Sequence, residues 1–216
     1  MSVTGFPYRL YLVTDEAACL GRDLMQVVEA AVKGGVDLVQ IREKGLSEKE
    51  FCEKAMRLKE RLDRYNVPLI VNDSLPVAKA CDAAGIHVGN SDITPQAIRS
   101  EWPACGILGY SLEHEDQLDS AEALHSDYLA LSPIFSTATK TNTKTEWGLE
   151  GIRKIRRRSV KPLVAIGSVS KYNAASMIRC GADCLAVVSA ICSAADPAKA
   201  AGDIREEIEK ASIRRS

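Results

Sequence analysis

The chain has 216 residues, of which 46% are apolar and 26% charged, and its formal net charge is −1. This balance argues against a nucleic-acid-binding protein, which usually carries a basic face, and excludes disorder as the main state. The longest apolar run, residues 184–192, is far shorter than the roughly 20 residues of a membrane-spanning helix. Seven cysteines in no pairing pattern and an N-terminus unlike a signal peptide predict reduced thiols in the cytoplasm.

Short apolar runs alternate along the whole chain with segments of helical period. The runs typical of strands lie at residues 9–14, 37–41, 68–71, 85–88, 106–110, 127–131, 162–166 and 184–188. The segments typical of helices lie at residues 23–33, 47–65, 74–84, 95–102, 113–124, 149–158, 171–181 and 197–211. Strict alternation predicts parallel strands with crossover helices, here an α/β fold with a single (β/α)8 TIM barrel over residues 1–216. An open doubly wound sheet is the alternative, but the first strand is followed by no G-x-G-x-x-G.

In such a barrel the chemistry lies where strands end and the following loops begin. At the end of strand 2, Gln40, Arg42 and Lys44 share one parity, so their side chains point the same way. Two converging cations need an anion, which predicts an anion site at the barrel mouth. The alternative is a register in which these side chains face solvent or pair with Glu43.

Carboxylates follow the next two strands. Asn72 and Asp73 come after strand 3, and Asp92 comes after strand 4. Two carboxylates placed together repel each other unless a proton or a metal lies between them. Beside Arg42 and Lys44, this pattern predicts Mg²⁺ held by Asp73, Asp92 and the oxygens of a diphosphate or triphosphate. The alternative is that each aspartate caps the helix that follows it.

The sixth loop, residues 132–148, is the longest connection. Loops of this length in compact domains are usually functional or disordered. Thr137, Thr139 and Lys140 supply two hydroxyls and a cation, which suits a phosphate-contacting lid that excludes water. Ser111 ends strand 5, where a helix N-cap is the alternative role. A mobile, solvated loop is the alternative for residues 132–148.

The last two strands predict a second anion site. Gly167 and Ser168 follow strand 7, and Val188 and Ser189 open a short segment, residues 189–194, after strand 8. In these barrels the loops after strands 7 and 8 and a short extra helix usually bind phosphate. His87, inside strand 4, is interpreted as a packed core histidine.

Seven short motifs in this order resemble those of the thiamine-phosphate synthase family. They are LYLVTD (10–15), QIREK (40–44), ND (72–73), HVGNSD (87–92), TATK (137–140), AIGSV (165–169) and VVSAI (187–191). The resemblance implies an enzyme that joins 4-amino-2-methyl-5-(diphosphomethyl)pyrimidine to 4-methyl-5-(2-phosphoethyl)thiazole. The products would be thiamine monophosphate and diphosphate, formed by a dissociative, Mg²⁺-assisted substitution.

The same resemblance implies a role for each candidate residue. The pyrimidine diphosphate would be held by Gln40, Arg42, Lys44 and Asn72. The metal ligands would be Asp73 and Asp92. The pyrimidine and its leaving diphosphate would also contact Ser111 and Lys140, so that the catalytic set is Arg42, Lys44, Ser111 and Lys140. The thiazole phosphate would be bound by Thr137, Thr139, Gly167, Ser168, Val188 and Ser189.

Three positions depart from the family's usual pattern. Ser168 stands where a second glycine is usual, Glu113 where a histidine is usual, and Ser91 where a carboxylate is common. Two alternatives therefore stay open: a related thiazole tautomerase, and a non-catalytic binder of thiamine intermediates. The expected partners are small molecules, with no nucleic acid and no membrane, and a homo-oligomer is possible.

Overall fold

Eight parallel strands close into a barrel in the computed structural model, which describes residues 6–136 and 146–213. The strands are β1 Leu10–Val13, β2 Leu38–Ile41, β3 Leu69–Asn72, β4 Gly85–Val88, β5 Ile107–Leu112, β6 Tyr128–Leu131, β7 Leu163–Ile166 and β8 Cys184–Val187. Each strand pairs with the next in the chain, and β8 pairs with β1. This closed sheet confirms the predicted (β/α)8 barrel. Each strand lies within two residues of its expected bounds.

Helices cover the outside of the barrel. They are α1 Leu24–Lys33, α2 Glu48–Asp63, α3 Leu75–Ala80, α4 Pro95–Glu101, α5 Ala121–His125, α6 Gly148–Arg158, α7 Ala174–Cys180, α8 Ser189–Cys192 and α9 Pro197–Ile213. The short α8 begins the segment expected after strand 8. In the part of the chain that the structure describes, no helix is both long and apolar enough to cross a membrane.

One predicted helix is wrong. Residues 113–124 form a 3-10 turn, Glu115–Asp119, followed by the separate short helix α5. Ser120 divides the two, because its extended backbone ends the turn and its hydroxyl accepts a hydrogen bond from the backbone N–H of Ala123 at 3.1 Å. A serine that caps a new helix in this way cannot continue the preceding one.

The inward and outward faces of the strands carry different side chains. On β2, Leu38 packs in a cluster inside the barrel, whereas Val39 and Ile41 pack against the helices. Gln40 has the inward parity of Leu38. The alternation expected for this strand is therefore confirmed, and it directs the polar residues at the end of β2 toward the barrel mouth.

The amino ends of three strands are held by one repeated arrangement. An aspartate before β2, β6 and β8 accepts the backbone N–H of a residue in the preceding strand and pairs with an arginine from a helix. The N–H donors, at 2.7 to 3.0 Å, are Leu10, Leu108 and Leu163. The aspartate–arginine pairs, at 2.6 to 2.7 Å, are Asp37–Arg205, Asp127–Arg99 and Asp183–Arg156. We call these three sets the amino-end clamps.

Gly85 permits the close approach of β4 to β5. A Cβ atom at this position would lie 1.8 Å from the carbonyl oxygen of Ile107, an atom of the barrel backbone. We expect Gly85→Ala to lower the free energy of unfolding by about 3 kcal/mol, since the backbone of β5 must shift. Gly45→Ala is the control, because a Cβ there meets nothing within 4 Å. Urea unfolding monitored by circular dichroism measures the stability of both variants. Equal losses of unfolding free energy would contradict the packing argument.

Candidate active site

A cavity of about 620 Å³ opens at the carboxyl ends of the strands. This volume is typical of a site for small molecules. All seven predicted site residues from strands 2 to 5 line it together: Gln40, Arg42, Lys44, Asn72, Asp73, Asp92 and Ser111. The barrel thus gathers into one cavity side chains that lie far apart in the sequence.

The two aspartates and Lys44 form a charged cluster at the cavity rim. The Lys44 Nζ atom lies 2.5 Å from Oδ2 of Asp73. Asp92 accepts the backbone N–H of Gly89 at 2.8 Å. Burial raises the pKa of Asp92, and the neighbouring Asp73 raises it further against the opposing effects of the Gly89 N–H and Lys44. Asp73 is therefore close enough to Asp92 to disfavour the charge on the Asp92 carboxylate.

Neither aspartate caps a helix, so the alternative role expected for them is wrong. The N-cap of α3 is Ser74, whose side chain accepts from Val77 N–H, and the N-cap of α4 is Thr94, whose side chain accepts from Ala97 N–H. Ser111 is no N-cap either, because it lies within β5. All three side chains are left for the cavity that they line.

Glu43 does not pair with the cations beside it in the sequence. Its carboxylate lies 2.6 Å from the Lys54 Nζ atom of α2, and Lys54 also pairs with Glu16. Lys54 and Glu43 are both largely buried. This cluster turns Glu43 away from the cavity, while Arg42 and Lys44 line it. The alternative pairing with Glu43 is therefore wrong, although the Lys44 side chain, which lines the cavity, is still 57% exposed to solvent.

The residues at the rim fit Mg²⁺ chemically. Asp73 and Asp92 offer hard carboxylate oxygens, and Mg²⁺ is usually held by one or two carboxylates together with water and substrate phosphates. Within residues 6–136 and 146–213, no group of three or more histidine, cysteine or acidic side chains could hold a metal. The donor set therefore suits a metal that shares its coordination with a phosphate ligand rather than one enclosed by protein.

The floor of the cavity holds a histidine that sequence reasoning assigned to the core. His87 is buried, as expected, but it also lines the cavity and makes 2.9 Å hydrogen bonds to Ser111 and Tyr128. Tyr11 also lines the cavity and was not foreseen. Burial raises the pKa of Tyr11 and Tyr128, so both phenols stay neutral. In the sequence, the inward parity of Tyr11 on β1 and of His87 on β4 is the signal that indicates these cavity positions.

Ile166, the last residue of β7, and Ala186 of β8 line this cavity, whereas the residues that follow the two strands lie outside its lining. Gly167 has a φ of 118°, and a Cβ there would lie 2.7 Å from the Cβ of Pro133. Ser168 has a φ of 52°, and its hydroxyl donates to the Ser136 carbonyl oxygen at 2.5 Å. Val188 is the N-cap of α8, which begins at Ser189. Thr137, Thr139 and Lys140 lie outside the described residues.

Comparison with known proteins agrees with this architecture. The family model described as "Thiamine monophosphate synthase" matches residues 10–191. The chain belongs to this family. The thiamine-phosphate synthase of Albidiferax ferrireducens is 47% identical over 201 residues, 93% of this chain and 92% of that protein. The thiamine-phosphate synthase of Vibrio parahaemolyticus is 47% identical over 194 residues, 90% of this chain and 95% of that protein.

A solved structure supports the same assignment. Thiamine phosphate pyrophosphorylase from Pyrococcus furiosus superposes with a TM-score of 0.86 at 31% identity, covering 95% of this chain and 97% of that one. The resemblance read from the motifs is therefore confirmed, and with it the expectation of a transferase of thiamine biosynthesis.

The three positions at which the resemblance implies another residue lie at different places around the site. Glu113 and Ser91 line the cavity beside the rim and contribute to its polar lining. Ser168 lies at the end of β7 in a left-handed conformation that glycine adopts without strain. The bond from its hydroxyl to Ser136 compensates part of that strain and connects the end of β7 to the start of the sixth loop.

Substitutions at Ser168 separate strain from hydrogen bonding. Ser168→Ala removes the bond to Ser136 and keeps the left-handed strain, so we expect stability to fall by about 1 kcal/mol. Ser168→Gly removes the same bond but also the strain, so it should be the more stable of the two variants by about 1 kcal/mol. Urea unfolding measures both, and an alanine variant as stable as the glycine variant would contradict this account.

Proposed function

We propose that the enzyme joins an aminopyrimidine carrying a diphosphomethyl group to a thiazole carrying a phosphoethyl group. The products are thiamine monophosphate and diphosphate. The observation that carries the proposal is the convergence, at the ends of β2 to β4, of two cations and two adjacent carboxylates over a cavity large enough for both ring systems. Membership of the thiamine monophosphate synthase family supports the same reaction.

The diphosphate of the first substrate would bind at the rim. Arg42, Lys44 and Asn72 supply the donors, and Asp73 and Asp92 would hold Mg²⁺ between the protein and the diphosphate. When bound, Mg²⁺ neutralises charge that builds up on the leaving diphosphate. Lys44, now 2.5 Å from Asp73, is placed to pair with a phosphate oxygen on the same side of the cavity. The rim would thus favour the separated diphosphate over the intact ester.

The substitution would be dissociative. The bond between the methylene carbon and the diphosphate oxygen breaks first, and the electron pair leaves with the diphosphate. The thiazole nitrogen then donates its lone pair to the pyrimidine methylene cation, so no proton has to be removed from the nucleophile. Gln40 and Ser111, on the cavity floor, would orient the pyrimidine for this capture. Lys140, which lies outside the described residues, is proposed to assist Arg42 and Lys44 at the leaving group.

The thiazole phosphate would bind at the ends of β7 and β8. Gly167, Ser168, Val188 and Ser189 lie there, where the backbone turns before α7 and into α8. Backbone N–H groups at such turns suit phosphate oxygens in barrels of this kind. Thr137 and Thr139 are proposed to complete this subsite. All seven cysteines are free thiols, which supports a cytoplasmic enzyme.

A coupling assay tests the proposed reaction. Purified protein receives both substrates with Mg²⁺ or with EDTA, and thiamine monophosphate and diphosphate are measured. We expect equal amounts of the two products with Mg²⁺ and none with EDTA. No product with retained calorimetric binding of the pyrimidine diphosphate would favour the non-catalytic binder. Without that binding, isomerisation of the thiazole carboxylate phosphate would favour the tautomerase.

Asp92→Asn tests the proposed metal ligand. Asparagine can still accept the Gly89 N–H through its carbonyl oxygen, so the local turn should persist. Loss of one anionic ligand should reduce kcat/KM for the pyrimidine diphosphate at least about 100-fold and weaken Mg²⁺ binding measured by calorimetry. Asp119→Asn is the control, because Asp119 pairs with Arg158 on the exposed surface. Full activity of Asp92→Asn, or an equal loss in the control, would overturn the assignment.

A further inference from the structure

Five side chains form a continuous hydrogen-bonded chain across the cavity floor. The Gln40 amide nitrogen donates to the Tyr11 hydroxyl at 2.7 Å, and the hydroxyls of Tyr11 and Tyr128 lie 3.1 Å apart. The Tyr128 hydroxyl lies 2.9 Å from Nδ1 of His87. Nε2 of His87 lies 2.9 Å from Oγ of Ser111. We call these five residues the floor chain; its two ends, Gln40 and Ser111, are proposed substrate contacts.

Burial fixes the direction of the floor chain. Tyr11 is 1% exposed and Tyr128 is fully buried, and the polar partners of both hydroxyls lie within the floor chain. Because Tyr11 accepts from Gln40, its own hydrogen goes to Tyr128, and that of Tyr128 goes to Nδ1 of His87. The imidazole then carries its proton on Nε2 and donates it to Ser111.

This direction determines what the two ends offer to a ligand. Ser111 accepts from His87, so its own hydroxyl hydrogen is available to a ligand in the cavity that it lines. The Gln40 side-chain amide donates one hydrogen to Tyr11. Its carbonyl oxygen is the hydrogen-bond acceptor that Gln40 offers to a ligand. One end of the floor chain therefore donates and the other accepts.

Gly109 provides the space that the floor chain requires. A Cβ atom at this position of β5 would lie 2.1 Å from Cζ of Tyr128 and 2.4 Å from Nδ1 of His87. Any other residue would therefore separate the phenol from the imidazole. The two rings lie nearly parallel, with 18° between their planes.

We propose that Tyr11, Tyr128 and His87 are positioning residues that hold Ser111 as a hydrogen-bond donor toward the substrate ring. A donor at Ser111 and an acceptor at Gln40 match a ring with an acceptor nitrogen and an amino group, as in an aminopyrimidine. This match rests on the proposed function, whereas the direction of the floor chain does not. Tyr11, Tyr128 and His87 would act through Ser111 and Gln40 rather than on the reacting atoms.

The direction can be measured without any substrate. In protein labelled with ¹⁵N-histidine, NMR reports which ring nitrogen carries the proton, and the His87→Gln variant identifies the signals of His87 among the three histidines. We expect a neutral ring with the proton on Nε2. A proton on Nδ1, or on both nitrogens, would overturn the proposal, whether or not the protein turns over substrate.

Two phenylalanine variants test the effect on binding. Tyr128→Phe removes the donor to His87, so we expect the pyrimidine diphosphate to bind about tenfold more weakly and the Nε2 tautomer to lose its dominance. Tyr11→Phe removes the partner of the Gln40 amide but leaves the Tyr128–His87 and His87–Ser111 bonds, so binding should also weaken while NMR still shows the Nε2 tautomer of His87. Calorimetry with Mg²⁺ and the pyrimidine diphosphate alone measures both variants.

Controls separate positioning from general damage to the fold. Tyr65→Phe removes a remote hydroxyl that donates to Glu29 on the outer helices, and it should bind like the wild type. Loss of the Nε2 tautomer in both Tyr128→Phe and Tyr11→Phe, or its retention in both, would indicate a purely structural role and overturn the proposal. The wild type could show the Nε2 tautomer and yet neither bind the pyrimidine diphosphate nor form product. In that case the proposed function fails, while the direction of the floor chain stands.

Discussion

Closure of the parallel sheet is the constraint on which the rest of the molecule depends. A closed barrel leaves no free edge and directs every second side chain toward its axis. Toward the amino ends of the strands these side chains are apolar, as with Leu38 and Ile70. Toward the carboxyl ends they are polar, as with Gln40, Asn72 and Ser111. The apolar amino end of the barrel supports the cavity, and the polar carboxyl end supplies the side chains that can bind a ligand.

The charged residues at the end of β2 form two groups, one outside the barrel and one on the cavity side. Outside the barrel, Glu43 is held by the largely buried Lys54, which fixes the backbone from which Arg42 and Lys44 project. On the cavity side, Lys44 balances Asp73 while Asp92 lies close by. A phosphate ligand and a cation could enter together at this rim with little change in net charge. Such paired entry keeps the cost of desolvating charge low.

The sequence predicts the barrel well because alternation of strands and helices is a local pattern. It also predicts the residues at the ends of β2 to β5, because parity places them on one side. The floor chain was not predictable in this way: Tyr128 meets His87 across 41 positions and Tyr11 across 117. It also depends on the space at Gly109. The broken helix at residues 113–124 was missed because apolar periodicity outweighed the capping hydroxyl of Ser120.

The amino-end clamps are separate from the residues that line the cavity. Asp37, Asp127 and Asp183 each join two strands and a helix, and all three lie at the end of the barrel away from the cavity. The clamps therefore join the strands at the end of the barrel opposite the cavity. Ser168 and Glu113, near the other end, belong to none of the three clamps. This separation lets residues at the cavity end change while the clamps at the amino ends stay in place.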